Sequence, residues 1–447
     1  MKILVVGGGG REHALVWKLA QSPRRPALFC APGNAGTEQL ATNVPIPAND
    51  LDGLLDFART GRIDLTIVGP EDPLCAGLVD RFEAAGLRAF GPFAAAARLE
   101  GDKAFAKQLM KSAGVPTAEA RIFSPSEQER AVRTRVPSVD ERDVPPRLTR
   151  AFDLARDYVA TREGPLVVKA AGLAKGKGVF VCDDPAEALL VLERLMVDRV
   201  LGPAGETVVV EERLQGPEIS LLALVDGRTI YCLEAAADYK RLLDGDRGPN
   251  TGGMGAYSPA PALTDALHRQ VEAEVLVPIV DALRRDGVIY RGVLYAGLML
   301  TPGGPKVLEF NCRFGDPETQ PLLMRLRTDL LDLIEATLDG RLDRITLEWD
   351  EAAAVCVVFA SAGYPDSSRA GVPIAGLEAE TGPDAVVFHG ATRRDGPRVL
   401  TAGGRALSVT ARGATRAQAR TRAYDAVARI SFEGMHYRRD IAAGDGP

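Results

Sequence analysis

The 447-residue chain is short of most features that would assign a function outright. No stretch holds eighteen unbroken apolar residues, and the opening "MKILVVGGGG" reaches its glycines after only five. Neither a membrane span nor a signal-peptide core fits that pattern. There are four histidines and no H-E-x-x-H arrangement, so a zinc centre is not expected. The six cysteines form no C-x-x-C pair and sit in apolar, strand-like contexts. Buried free thiols and a cytoplasmic setting are the expectation. Charge of one sign is scarce too: the net charge of −6 offers no footprint for nucleic acid. Two phosphate-binding motifs are also missing. There is no G-x-x-x-x-G-K-[ST], and the glycines after the first strand fail G-x-G-x-x-G, ending at Glu12 or His13 according to frame. With no acid closing the second strand, "LFCAPG", a dinucleotide site is not expected.

What is present reads as a multidomain α/β and α+β protein. Residues 1–92 alternate strands (2–6, 27–30, 64–68) with helices (11–21, 50–60), the pattern of a doubly wound parallel sheet. Turns rich in glycine or acid follow those strands, where such sheets gather ligands. A helix at 102–114 ends in Gly114 and Pro116. The charged, proline-interrupted stretch 123–151 reads as a surface insert. Strands are expected within 165–181, 206–214 and 218–227, then a glycine-dense segment (248–262), a helix near 264–286 and two more strands. The tail, about 350–430, reads as a small α+β unit of several strands and a late helix.

Three stretches carry chemistry. The turn "GGGGREH" puts backbone N–H groups at a helix start, suited to a phosphate or merely to a tight turn. In "KAAGLAKGKGV", Lys169 lies on an apolar strand and needs an anionic partner. The loop after it, with Lys175, Gly176, Lys177 and Gly178, can close over phosphates or be a solvated hairpin. On spacing alone, Glu211, Glu212 and Glu218 favour a solvated edge. In "KVLEFNCRFGDPETQ", strand alternation puts Glu309, Asn311 and Arg313 on one face. Two hard oxygen ligands followed by a guanidinium suit Mg²⁺ and a transferring phosphoryl group. The competing reading is a polar face open to water.

Taken in order, "GGGGREHAL", "APGNAGT", "TIVGPEDPL", "LEGDKAFAK", "GPNTGGMGAYSPAP" and "EFNCRFGDPETQ" resemble the phosphoribosylamine–glycine ligases, ATP-grasp enzymes of purine synthesis. The resemblance runs from about residue 1 to 440. It implies a doubly wound N-terminal domain (1–101), an ATP-grasp domain (102–330) and a small α+β C-terminal domain (331–447). It further implies ligation of glycine to 5-phosphoribosylamine through glycyl phosphate, with ATP as co-substrate and Mg²⁺ or Mn²⁺ as cofactor. By position, Lys103, Lys169 and the loop 175–178 would meet ATP phosphates, and Glu211, Leu214 and Glu218 the adenosine. Glu309 and Asn311 would hold metal, with Arg313, Asp238 and Lys240 catalytic. Gly8, Gly9, Gly10, Arg11, Glu12, Pro70, Glu71 and Asp316 would lie on the phosphoribosylamine side. No nucleic acid or membrane partner is implied. A monofunctional monomer is expected, with transient contact to an upstream purine enzyme left open. The chain departs from the family pattern at Ala171, where an acid is usual, at Pro217, at Tyr239 for histidine, and in "RRDIAAG", where D-I-G is usual. Another ATP-grasp ligase and a silent nucleotide-binding protein remain as alternatives.

Overall fold

The structure, a computed structural model, describes residues 1–126, 150–174, 176–379 and 382–444. Most of the expected insert (127–149) and Lys175 lie outside the described residues.

The first strand, Lys2–Gly7, has four consecutive apolar residues, Ile3 to Val6, none of them exposed. Such a run needs cover on both faces, which a parallel sheet with helices on each side supplies. It lies at the centre of five parallel strands ordered Thr42–Asn43, Ala27–Pro32, Lys2–Gly7, Leu65–Val68, Ala89–Phe90. Leu4 and Val6 pack into one core and Ile3 and Val5 into another. The connections leave the central strand on opposite sides, so a crevice opens beyond Gly7 and Val68.

Two antiparallel sheets form the middle of the molecule. One runs Ala120–Phe123, Val208–Glu212, Leu166–Ala170, Val179–Cys182, with helices Arg150–Ala160 and Pro185–Leu192 closing a separate core over Val168, Val208 and Val210. The other runs Ile230–Cys232, Glu218–Asp226, Arg291–Thr301, Gly304–Asn311. A helix links them to the N-terminal sheet. Asp102 caps it by accepting from the Phe105 amide at 3.0 Å, and Gly114 ends it at φ +69°. The expected helix near 264–286 spans Asp265–Arg285 with a π-turn at Glu272–Leu276.

The tail is not a sheet by itself. Its strands Ala353–Ala360, Arg405–Gly413 and Ala385–His389 continue through Gly255–Ser258 to Ala237–Asp238, both from the middle of the chain. An apolar strand such as Ala353–Ala360 cannot leave its edge unpaired, and the glycine-dense segment pairs with it. Helix Arg416–Val427 covers one face. Among the described residues no helix is long and apolar enough to cross a membrane.

Candidate active site

A cavity of about 620 Å³ lies between the two middle sheets. Lys103, Lys169, Gly176, Gly178, Glu211, Leu214, Glu218, Asp238, Lys240, Glu309, Asn311 and Arg313 all line it. Residues spread over more than two hundred positions therefore converge on one space.

Glu309 and Asn311 reach it through an irregularity in their strand. Gly297 pairs with Glu309 but Leu298 pairs with Val307, so Leu308 is an extra residue without a partner opposite. The bulge lets Val307, Phe310 and Cys312 share the core while Glu309 and Asn311 face the cavity. It also frees the Leu308 carbonyl, which accepts from Lys169 Nζ at 2.9 Å. The strand ends at Asn311, and Arg313 enters from the turn beyond. The reading of this row as a solvated face does not hold, since Asn311 is buried and Arg313 largely so.

The partner Lys169 needs is Glu211, at 2.9 Å. The same carboxylate takes Lys107 at 3.1 Å on its other oxygen, with all three side chains at most 6% exposed. Glu211 thus holds two lysines apart and at fixed height beside the cavity. Burial pulls Lys107 down to about 8 despite Glu211. Burial also lowers Lys103, against the pull of Glu309. For Glu309 itself burial acts upward, yet Lys240, Lys103, Lys169 and Arg313 together keep it below the ordinary carboxylate range. It is a carboxylate ringed by cations.

Arg313 is bound by two acids, Glu100 at 2.7 Å and Glu71 at 3.1 Å. Glu100 also receives the Cys312 amide at 2.7 Å, which fixes the turn. Burial pushes against Glu71, but Arg313 and Arg11 bring it to about 2. Across the cavity Lys240 Nζ meets Asp238 at 2.6 Å. Burial raises the Asp238 carboxyl to about 7, with Lys240 opposing. Burial alone would lower the Lys240 ammonium, but Asp238 holds it well above its usual value. Behind them Ser220, Tyr295 and Glu318 form a closed hydrogen-bond set at 2.7–3.2 Å.

Of the remaining expected residues, Gly8, Gly9, Gly10 and Asp316 line a second cavity of about 240 Å³ together with Gln320, Arg405 and Ser408, Glu71 lines the large one, and Arg11, Glu12 and Pro70 line neither. Gly9 precedes the helix Gly10–Leu19 and donates its amide to Glu12 at 2.6 Å. A Cβ at Gly8 would stand 2.5 Å from the Gly33 carbonyl oxygen, so the close approach of two backbone segments requires glycine there. Burial raises Glu12. Arg11 donates to the Gly69 carbonyl at 2.6 Å, joining this turn to Pro70 and the short helix Glu71–Cys75. Asp316 lines both cavities and pairs with Arg405 of the tail at 3.2 Å. Asn34 ties the glycine turn to the tail as well, donating to the Gly8 carbonyl at 3.0 Å and that of His389 at 2.8 Å.

Lys177 is exposed and stands outside the large cavity, donating to the Asp366 carbonyl at 3.3 Å. The departures are absorbed locally. Ala171 still offers its carbonyl to the Lys103 amide at 2.8 Å, Pro217 offers its own to Leu300 at 2.9 Å, and the Tyr239 hydroxyl accepts the Ala442 amide at 2.9 Å. The last contact joins two departures, and Ala442 stands at φ +57°, where glycine is the natural residue. Sequence reasoning gave no role to Glu100, Lys107, Ser220, Tyr295, Glu318 or Arg405. Of these, Glu100, Lys107 and Glu318 fall inside quoted motifs, which was the available signal.

A nucleotide-sized cavity between two antiparallel sheets, with Lys169 on one and Glu309 and Asn311 on the other, defines an ATP-grasp protein. The biotin carboxylase domain of a 2-oxoglutarate carboxylase from Hydrogenobacter thermophilus, solved with MgADP and bicarbonate, shares this fold at a TM-score of 0.70 and 15% identity over 98% of this chain and 91% of that one. Within that class the chain belongs to the phosphoribosylglycinamide synthetase family, whose N domain matches residues 1–100, ATP-grasp (A) domain 146–319 and C domain 354–444. It is 47% identical to the phosphoribosylamine–glycine ligase of Caldanaerobacter subterraneus subsp. tengcongensis over 99% of this chain and all of that one. It is 50% identical to that of Allochromatium vinosum over 99% and 98%. The crystal structure of the Thermotoga maritima phosphoribosylamine–glycine ligase superposes at a TM-score of 0.78 with 32% identity, covering 99% and 100%.

Proposed function

We propose that the chain joins glycine to 5-phosphoribosylamine with ATP, giving glycinamide ribonucleotide, ADP and phosphate. The observation that carries this reading is the convergence of Lys103, Lys169, Lys240, Glu309, Asn311 and Arg313 on one cavity, next to a second cavity at the glycine turn. In the first step a glycine carboxylate oxygen bonds to the γ-phosphorus and the bond to ADP breaks, leaving glycyl phosphate. In the second the amine nitrogen bonds to the acyl carbon, the C–O bond to phosphate breaks, and the amine loses a proton. Lys103 and Lys169 neutralise the phosphates, and Lys240 and Arg313 face the reacting end. Asp238, held near 7 by burial, is suited to take the amine proton.

Glu309 and Asn311 fit a hard divalent cation, Mg²⁺ or Mn²⁺, provided phosphates complete its shell. Among the described residues no group of three or more His, Cys, Asp or Glu could hold a metal alone. When bound, such an ion would offset charge on the phosphate oxygens. The cations around Glu309 oppose a bare metal ion, so Glu309 and Asn311 take metal together with nucleotide.

The second cavity suits the phosphoribosyl part. The Gly9–Gly10 helix start and Arg405 offer donors, and Gln320 Oε1 and Ser408 Oγ are buried there without a partner. A sugar phosphate would satisfy them. The six free cysteines fit a reducing cytoplasm. The test is coupled ADP release with glycine and phosphoribosylamine, each omitted in turn. Release must need both; release with bicarbonate in place of glycine overturns the assignment.

A further inference from the structure

The structure assigns a positioning role to the C-terminal strap, residues 436–442, with Arg438 as its anchor; only its kinetic test rests on the ligase reading. The strap's target is the ribbon Arg241–Leu243/Arg247–Asn250, which forms a two-stranded sheet of its own. A lone hairpin is marginal in water. This one begins directly after Lys240, and Arg241, Asp246 and Asn250 line the large cavity. Something must hold it.

Arg438 lies nearly two hundred residues further on, and its side chain is 1% exposed. A cation buried that deeply needs full pairing. Its Nε and Nη2 grip both oxygens of Asp440 at 2.7 and 2.6 Å. Its Nη1 crosses to the ribbon, donating to Asp246 at 2.6 Å and to the Arg241 carbonyl at 3.1 Å. The guanidinium also sits 4.8 Å over the Tyr239 ring. The neighbours repeat the pattern. Asp440 accepts the Gly245 amide at 2.8 Å, Asp244 accepts the Arg439 amide at 2.8 Å, and the His436 ring meets the Leu242 carbonyl at 2.8 Å. With Ala442 on Tyr239, the strap touches the chain on both sides of Lys240. The tail is secured separately, by His436 paired with Ala360 and by the Tyr424 hydroxyl on the Arg438 carbonyl. The guanidinium therefore reaches the ribbon directly through Nη1 and indirectly through Asp440, and so bears on where Lys240 stands against Asp238.

The test uses the full chain and two variants. In Arg438→Met, kcat should fall by about tenfold or more at saturating substrates, as for a displaced catalytic group. The acid limb of kcat near pH 7 should also move upward, because Lys240 withdraws from Asp238, which then faces Glu318 and Glu218. A staple serving only tail stability would lower the melting temperature and leave that limb in place. Wild-type kcat and limb in folded Arg438→Met overturn the inference. If that variant does not fold, Asp246→Asn decides: its carboxyl is 60% exposed on the turn, and it must shift both readouts in the same direction. Should the wild type itself show no ligase activity, hydrogen exchange at residues 241–250 decides instead. Faster exchange in Asp246→Asn supports the strap and an unchanged rate overturns it.

Discussion

Replacing Glu211 by glutamine removes the one anion that Lys107 and Lys169 share while keeping its volume. The structure gives the size of the loss. Both contacts are short, 3.1 and 2.9 Å, and the side chains are 2–6% exposed. Breaking a buried pair from one side costs about 3–5 kcal/mol, because the other charge stays buried. At about 2–4 °C per kcal/mol for a domain of this order, the melting temperature should drop by roughly 6–20 °C. The loss should also depend on pH. Lys107 already sits near 8, well below its unfolded value, because of burial. Without Glu211 it falls further. Below about pH 8 the wild type keeps a charged, paired Lys107, while the variant must either bury the charge or shed a proton. The gap between wild type and Glu211→Gln therefore widens as pH falls from about 9 to about 6, at up to about 1.4 kcal/mol per unit. Saturating ATP, whose phosphates supply negative charge beside Lys169, should narrow it. The assay is thermal unfolding of both proteins at pH 6, 7.5 and 9, with and without nucleotide. A variant melting within a degree of wild type, or a gap that stays constant with pH, would refute Glu211 as the shared counterion.

Three further outcomes are expected. Glu309→Gln should lose about 100-fold in turnover with only partial rescue by high magnesium; a magnesium titration of the folded variant matching wild type would remove the metal assignment. Asp238→Asn should abolish the acid limb near pH 7 in the kcat profile, since burial, opposed by Lys240, sets that limb; a limb that survives belongs to another group. Tyr239→Phe leaves the Ala442 amide without its acceptor and should cost about 1–3 kcal/mol, read by urea unfolding; a neutral substitution would mean the amide finds another partner.

Much of the architecture was legible because it is local. The strands, the turns after them and the capped helix at 103–113 each carry their own signal within a few residues. The row Glu309, Asn311, Arg313 was legible as a face, but for an incomplete reason. Strict alternation would have put Val307 on that face too, and only the bulge at Leu308 separates them. A bulge depends on the facing strand, so one strand's sequence does not display it. Likewise the sequence could say that Lys169 needs an anion but not which one, because Glu211 lies on a strand whose register is set by the whole sheet. Lys107 and Glu100 act through long-range partners and look like ordinary helix residues. The shared sheet of the tail was missed on the same ground: Gly255–Ser258 has too few large residues to announce a strand.

The charge balance around the large cavity explains why nucleotide and metal should arrive together. Among the described residues each cation near Glu309 except Lys103 has an acid at salt-bridge distance: Glu211, shared with Lys107, for Lys169, Asp238 for Lys240, and Glu71 with Glu100 for Arg313. For Lys103 burial outweighs the attraction of Glu309, so its charge is held at a cost. A phosphate entering there relieves that cost and supplies the negative charge a divalent ion requires. The ligands proposed for the metal are few, one carboxylate and one amide, which would let an ion leave with ADP. A third acid would hold metal without nucleotide and retain product. The arrangement ties metal affinity to the phosphates, and phosphate affinity to the lysine that lacks a dedicated partner.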